Sequence, residues 1–446
     1  MKSNNTLTSR RAVLTQLGAA GALTGMVALG RAAEPTPATT LSPSRVLSVR
    51  DCGAAGDGSA DDTAAFQQAL DAVAKAGGGI VFVPTGNYRF QGHLSVPDNV
   101  TLEGVFRAPT ARSQFRGSTL LPVEGRGADG EPFIFLHANS VLKGVTIFYP
   151  EQDAQNPVPY PWCVRGIGDN CAILDILMVN PWNAVDFGTF PCGRHLIRGL
   201  YGQPLRLGIF VDQCLDVGRI EDVHFWPFWT DSLIPFTQKG GVAFQFARTD
   251  WEMLSGCFCL GYKIGFHFTA VRHDAGNALI VNSGPDVCTV GVQVDWSQVQ
   301  AGVHFQNCQI NAGVIVNEGS LGPVKFMNCG LFGTGYKSPY LEHGDVKATH
   351  ALLRGRGRTT FIGCHFYQVE GPFVPKDYTD EGHAVIYCDA NGLTVSACDF
   401  TGFDRNHVLL GAKSKSTLIT GTRFLRGLKL KNEGVGKVET GMNIDE

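Results

Sequence analysis

Asp51-Cys52-Gly53-Ala54-Ala55-Gly56-Asp57-Gly58-Ser59-Ala60-Asp61-Asp62-Thr63 opens the stretch that decides the fold. An Ala-, Phe- and Leu-rich segment runs on to Ala76, followed by Gly77-Gly78-Gly79-Ile80-Val81-Phe82-Val83-Pro84-Thr85-Gly86-Asn87-Tyr88. Just before it, Val46-Leu47-Ser48-Val49 is apolar and β-branched and reads as a short strand. The Gly/Asp cluster is a loop whose positions tolerate φ > 0. Asp61 or Asp62 is placed to cap a helix whose apolar residues Ala65, Phe66, Ala69, Leu70 and Val73 share one face. The glycine triplet ends that helix. Ile80 to Val83 is a buried strand, and Pro84-Thr85-Gly86-Asn87 a turn. The expectation is a strand, one amphipathic helix, and then strands without further helices.

Outward from this stretch, one six-residue phrase recurs: apolar, any, small or turn residue, apolar or Cys, any, apolar. It reads Leu142-Lys143-Gly144-Val145-Thr146-Ile147, then Ile220-Glu221-Asp222-Val223-His224-Phe225 and Leu254-Ser255-Gly256-Cys257-Phe258-Cys259. It returns around Cys308, Cys329, Cys364, Cys398 and Thr422. The alternation turns one set of side chains inward, and the spacing suits one coil of a solenoid per phrase. The slot after the turn residue is filled by Val, Thr or Cys, which marks a small buried site. Cys257, Cys308, Cys329, Cys364 and Cys398 are therefore expected as an inward file of free thiols rather than disulfides or metal ligands.

The phrases Gly53-Ala54-Ala55-Gly56-Asp57-Gly58, Asp61-Asp62-Thr63 and Gly77-Gly78-Gly79 before Pro84-Thr85-Gly86-Asn87-Tyr88 resemble the N-terminal segment of the pectate-lyase-like superfamily, in its rhamnogalacturonase- and epimerase-type branch. That resemblance implies an all-β, right-handed parallel β-helix with the helix covering its N-terminal end. It does not choose among hydrolase, lyase, epimerase or viral tail protein. The galacturonase hydrolase pattern is missing: there is no Asn-Thr-Asp, Gly-His-Gly or Arg-Ile-Lys, so no catalytic residue carries over from it.

The chain has 446 residues and a formal net charge of −3, which gives no electrostatic case for nucleic acid or an anionic membrane surface. Its 55 Gly and 28 Phe suit many turns and stacked apolar strands. Ser9-Arg10-Arg11-Ala12-Val13-Leu14 ahead of a weakly apolar run from Leu17 to Leu29 reads as a twin-arginine export signal over residues 1–33. The expectation is a periplasmic or extracellular protein with no membrane span after signal removal. The domain reading is a flexible leader at 34–45, the β-helix at 46–430 and a C-terminal tail at 431–446.

A second register points to an outer face. Gly208, Gly265 and Gly291 each open a short strand, and Asp186 and Gly241-Val242-Ala243-Phe244-Gln245 fit between. One outward column would then hold Asp186, Phe210, Ala243, His267 and Gln293, and the next Gly188, Asp212, Gln245, Thr269 and Asp295. Asp186 and Asp212 on adjacent coils would bring two carboxylates about 5–9 Å apart, which spans glycosidase geometries. They are the candidate catalytic pair, with Asp231 able to replace either as the acid. Trp226 and Trp229 are candidate sugar platforms, and Gln245, Arg248, His267 and Asp295 candidate binding groups. The alternative is that the aromatics simply pack a loop.

These residues favour a glycoside hydrolase on a poly- or oligosaccharide. A polysaccharide lyase or transglycosylase and a non-catalytic carbohydrate-binding β-helix are the alternatives. No metal or cofactor is expected, except Ca²⁺ for a lyase, which would want converging carboxylates and a base among Arg248, Arg272 and Lys263.

Overall fold

The computed structural model describes residues 45–106, 117–333, 341–368, 383–403 and 405–445. The stretch read as an export signal and most of the expected leader lie outside them. The described chain is a right-handed parallel β-helix. Successive coils contribute strands to three walls. The third wall, for example, runs through Trp162–Gly166, Asn183–Phe187, Leu207–Val211, Val242–Phe246, Ile264–Phe268 and Val290–Val294, each paired in parallel with the next.

The recurrent phrase is the bend between the first and second walls. Its turn residue sits in the left-handed region in coil after coil: Gly144 at φ 66°, Asp222 at 51°, Gly256 at 66°, Asn307 at 53°, Asn328 at 52° and Gly363 at 62°. Gly, Asn and Asp accept that conformation most readily, which is why they fill the slot. The next residue turns inward. Val145, Val223, Cys257, Cys308, Cys329, Cys364, Cys398 and Thr422 are all buried, and the cysteines are free. Burial pushes the Cys257 thiol up to about 12, in keeping with a packing role.

Phenylalanines stack along the axis. Phe305, Phe326 and Phe361 lie 5.2 and 5.1 Å apart with rings within 13° of parallel, and Phe366 and Phe400 at 4.3 Å and 10°. In-register strands place like residues above one another, so offset ring stacking adds to burial in each coil.

Helix α1 (Thr63–Lys75) buries Phe66, Ala69, Leu70 and Val73 against the first coils. Its capping differs in detail from expectation. Asp62 precedes the helix but does not cap it. Its carboxylate accepts from Ala55 N (2.5 Å) and Gly56 N (3.1 Å) instead, tying down the Gly/Asp loop. Asp61 accepts from Thr63 N at 3.1 Å and Thr63 Oγ1 at 2.5 Å. At Gly79 (φ 151°) a Cβ would stand 2.4 Å from the Arg45 carbonyl oxygen, so the chain leaves the helix only through glycine.

Two expectations are corrected. A second helix, α2 (Ile234–Gly240), interrupts the strands between the aromatic stretch and Val242–Phe246. The residues expected as a tail build a last coil: Leu430–Asn432, Lys437–Gly441 and Ile444–Asp445 each pair in parallel with the coil before. No helix among the described residues is long and apolar enough to cross a membrane.

Candidate functional site

The outer surface of the third wall carries the polar residues singled out from the sequence, in the expected register except for the Val242–Phe246 strand, which is shifted by two residues. Arg165, Asp186, Phe210, Gln245, His267, Gln293 and Ile315 form one column. Gln245, not Ala243, stands beside His267, because α2 alters the chain length entering that strand. Two residues on, backbone hydrogen bonds set Asp212, Ala247, Thr269, Asp295, Asn317 and Arg354 in successive coils.

The expected carboxylate pair is not exposed. Asp186 is fully buried. It accepts from Arg165 Nε at 2.6 Å, Gly188 N at 3.0 Å and Thr189 N at 2.8 Å, leaving little capacity for another partner. Asp212 is also fully buried. Its Oδ1 accepts from Gln213 N and Arg248 N, and its Oδ2 lies 3.7 Å from Arg272 Nε under the loop that arginine holds. The alternation points both side chains outward, but neighbouring loops cover them. Period-2 patterning assigns a face, not exposure.

The aromatic stretch packs. Trp226 and Trp229 lie against a satellite cluster of Phe106, Leu177, Val179 and Phe228, with Trp226 edge-on to Phe228 at 5.6 Å. Gln203 ties the loop down, accepting from Trp229 N and donating to the Thr230 carbonyl. These tryptophans sit on a cluster with second-wall residues rather than beside His267. Asp231 opens a short turn, Asp231–Leu233, that leads into α2, and is exposed.

What the structure brings together is His267 and Asp295. His267 Nε2 lies 2.7 Å from Asp295 Oδ2, with the side chains 15% and 24% exposed. Gln293 Nε2 donates to both Asp295 oxygens (3.0 and 3.1 Å), and Asn317 Nδ2 donates to Oδ1 at 2.6 Å. Burial raises the Asp295 pKa, but the hydrogen bonds from His267, Asn317 and Gln293, with the imidazole's charge, outweigh it and hold the carboxyl below the usual range. An ionised Asp295 accepting from Nε2–H leaves the lone pair on Nδ1. That nitrogen has no partner among the described residues and is shielded from solvent. An imidazole oriented in this way can act as a general base where a substrate gains access to the free nitrogen.

Residues the sequence reading passed over complete the surroundings. Arg354 donates to Asn317 Oδ1 and meets His343 Nδ1 at 3.0 Å. It also lines a cleft of about 620 Å³ in which Arg356, Lys413, Lys415 and Lys437 outnumber Glu318 and Asp389. Trp296, 43% exposed, directly follows Asp295, and Trp251, 59% exposed, follows Asp250. Arg248 is committed to Asp250 at 2.5 Å, and Gln298 links Asp250 to Asn277. Gly313-Val314-Ile315-Val316-Asn317 repeats the glycine-led strand pattern and was the signal for Asn317. Its spacing from the turn residue differs from the earlier coils, which hid it.

Residues 46–148 match the family model described as rhamnogalacturonase A/epimerase, pectate lyase-like. Mannuronan C5-epimerase AlgE3 of Azotobacter vinelandii is 42% identical over 80 residues, 16% of this chain and 4% of that protein. Alginate lyase 7 of the same organism is 58% identical over 54 residues, 12% of this chain and 6% of that protein. These matches span only a small part of the curated relatives' own length. Among solved structures, the pre-mature gene product 12 of bacteriophage phi29 is similar at TM-score 0.52 and 14% identity, over 89% of this chain and 55% of that one. Its likeness concerns the fold. The matched segment, residues 46–148, is thus similar to the pectate-lyase-like family at the N-terminal end of the chain, and the described residues as a whole share the parallel β-helix fold.

Proposed function

We propose that this chain is a carbohydrate-active enzyme acting on a uronate-bearing polysaccharide, by abstraction of the proton α to the uronate carboxylate. The observation that carries the reading is the His267–Asp295 dyad on the third wall, in which Asp295 holds Nε2 and leaves Nδ1 without a partner among the described residues. The buried Asp186 and Asp212 offer no comparable accessible pair for hydrolysis. In this reading substrate binding displaces the groups that shield His267 Nδ1, and that nitrogen takes the proton from C5. The freed electron pair forms the C4–C5 double bond as the C4–O bond breaks, and the departing oxygen takes a proton from water. Return of a proton to the opposite face of C5, with no bond broken at C4, would give the epimer. Arg354 and the cationic cleft suit a polyanion, and Trp251 and Trp296 offer rings to sugar faces. The short matches to a mannuronan epimerase and an alginate lyase point the same way. The twin-arginine reading of residues 1–33 makes an exported enzyme part of the proposal.

A hydrolase is the second reading. It is favoured by Asp212 Oδ2, buried beneath Arg272 without a hydrogen-bond partner among the described residues, an acid that a shift of that arginine would uncover. The test is a panel of polymannuronate, polyguluronate, polygalacturonate and neutral glucans. Elimination gives an ultraviolet-absorbing unsaturated end, and epimerisation a changed proton NMR spectrum without cleavage. Reducing ends from a neutral glucan without ultraviolet absorbance, with no change in any uronate polymer, would overturn the proposal in favour of hydrolysis.

A further inference from the structure

Away from the third-wall face, three chemically potent side chains meet in the interior. His195, Cys214 and Glu252 are each fully buried, and their donor atoms lie within 4.8 Å of one another. The solenoid explains the meeting. Gly218 and Glu252 are strand partners, and the Arg219 N–H donates to the His195 carbonyl, so His195, Gly218 and Glu252 occupy one position in three successive coils. Side chains two coils apart do not ordinarily touch. Gly218 removes the one between: a Cβ there would stand 2.3 Å from Glu252 Oε2 and 2.5 Å from His195 Cε1. Cys214 enters from the middle coil, where it bridges to Thr249 of the next.

The proton count at this cluster is short. His195 Nδ1 lies 2.9 Å from the Cys192 carbonyl oxygen, which only accepts, so Nδ1 carries a proton. Nε2 then faces Glu252 Oε1 at 3.0 Å, while Glu252 Oε2 is buried with no partner among the described residues. A second proton on the imidazole would satisfy the Nε2–Oε1 contact alone, as a buried ion pair. Burial lowers the His195 pKa, but Glu252 and the Cys214 sulfur together outweigh it and hold it well above its ordinary value. It would leave Oε2 orphaned. A divalent cation would satisfy Nε2, the carboxylate and the sulfur together. Zinc bonds of ~2.0–2.1 Å to nitrogen and oxygen at a tetrahedral angle separate those two atoms by ~3.3 Å, near the observed 3.0 Å. A ring N–H donated to a backbone carbonyl is also how metal-bound histidines are usually oriented.

We propose that His195, Cys214 and Glu252 form a buried structural site for a thiophilic divalent cation of the zinc class, assembled across three coils through Gly218. Binding converts the Cys214 thiol, which donates to the Asp216 carbonyl at 2.9 Å, to a metal-bound thiolate and displaces the proton held between His195 Nε2 and Glu252 Oε1, releasing two protons in all. The site is independent of the dyad and of the proposed reaction. It adds a metal where the sequence reading expected none, since no ligand spacing in the sequence announces it.

The experiment uses the full chain expressed in zinc-supplemented medium, purified without chelator and gel-filtered. Metal analysis should find about one zinc per chain, and about a hundredfold excess of zinc over its Kd should raise the melting temperature of the stripped protein by about 3 °C. Chain produced with Co²⁺ should show a thiolate-to-cobalt charge-transfer band. The near-isosteric Cys214→Ser should abolish that band, and Glu252→Gln and Gly218→Ala should lower metal retention at least tenfold. The cobalt spectrum of the unsubstituted chain needs no variant to fold. Absence of the band, less than about a tenth of an equivalent of retained zinc, or retention that Cys214→Ser and His195→Gln leave unchanged would overturn the proposal in favour of a metal-free imidazolium–carboxylate pair.

Discussion

Replacing Asp186 by Asn separates a structural carboxylate from a catalytic one. Asp186 is fully buried and its ion pair with Arg165, 14% exposed, closes at 2.6 Å. Asparagine is close to isosteric, and its Oδ1 can still accept from Gly188 N and Thr189 N. Its NH₂ group, however, would face the Arg165 Nε–H, donor against donor, and leave the guanidinium without its counter-charge. Breaking a buried pair from one side costs about 3–5 kcal/mol. The partial exposure of Arg165 lets water relieve some of this, which puts the expectation near the lower end, about 3 kcal/mol. In equilibrium urea unfolding the midpoint should fall by that free energy divided by an unchanged m-value. Turnover well below the transition should stay within a few-fold of the parent. Replacing both partners by apolar residues of similar size, Asp186→Leu with Arg165→Met, should recover much of the loss, because neither charge is then left alone. Parental unfolding combined with turnover reduced by orders of magnitude would refute this reasoning and restore Asp186 to the catalytic role the sequence suggested.

Once a substrate is known, His267→Gln should lower kcat by about 10²–10⁴-fold, far more than any fall in urea midpoint from the lost hydrogen bond to Asp295 accounts for. Asp295 has a depressed pKa, so its contribution to stability is present above the ordinary carboxylate range and is lost as pH falls through the folded value. Asp295→Asn should therefore flatten the acid limb of the stability–pH curve measured by urea unfolding. Phe400→Ala, which removes a ring stacked between Phe366 (4.3 Å) and Phe424 (5.0 Å), should cost about 3–5 kcal/mol by the same assay. Thiol titration of the unfolded, unreduced chain should find all 13 cysteines reactive, and fewer would mean that the inward file contains bridges.

The sequence by itself determined the coil. A position that must adopt left-handed backbone accepts Gly, Asn or Asp, and the buried slot after it accepts Val, Thr or Cys, so local sterics write the solenoid into a repeated phrase. The helix from Thr63 and the inward cysteines were legible for the same reason, since each follows from nearest-neighbour geometry. Tertiary structure alone decided which outward residues meet solvent. Asp186 and Asp212 point outward and are fully covered, whereas His267 and Asp295 point outward and stay partly exposed, and the difference lies in loops from other coils. It also decided register: α2 moved Gln245 two places, into the column of His267. The His195–Cys214–Glu252 cluster was invisible for a related reason. Its members are 19 and 38 residues apart with no fixed spacing, and a glycine on the coil between them, a residue with no side chain to notice, is what lets two coils touch.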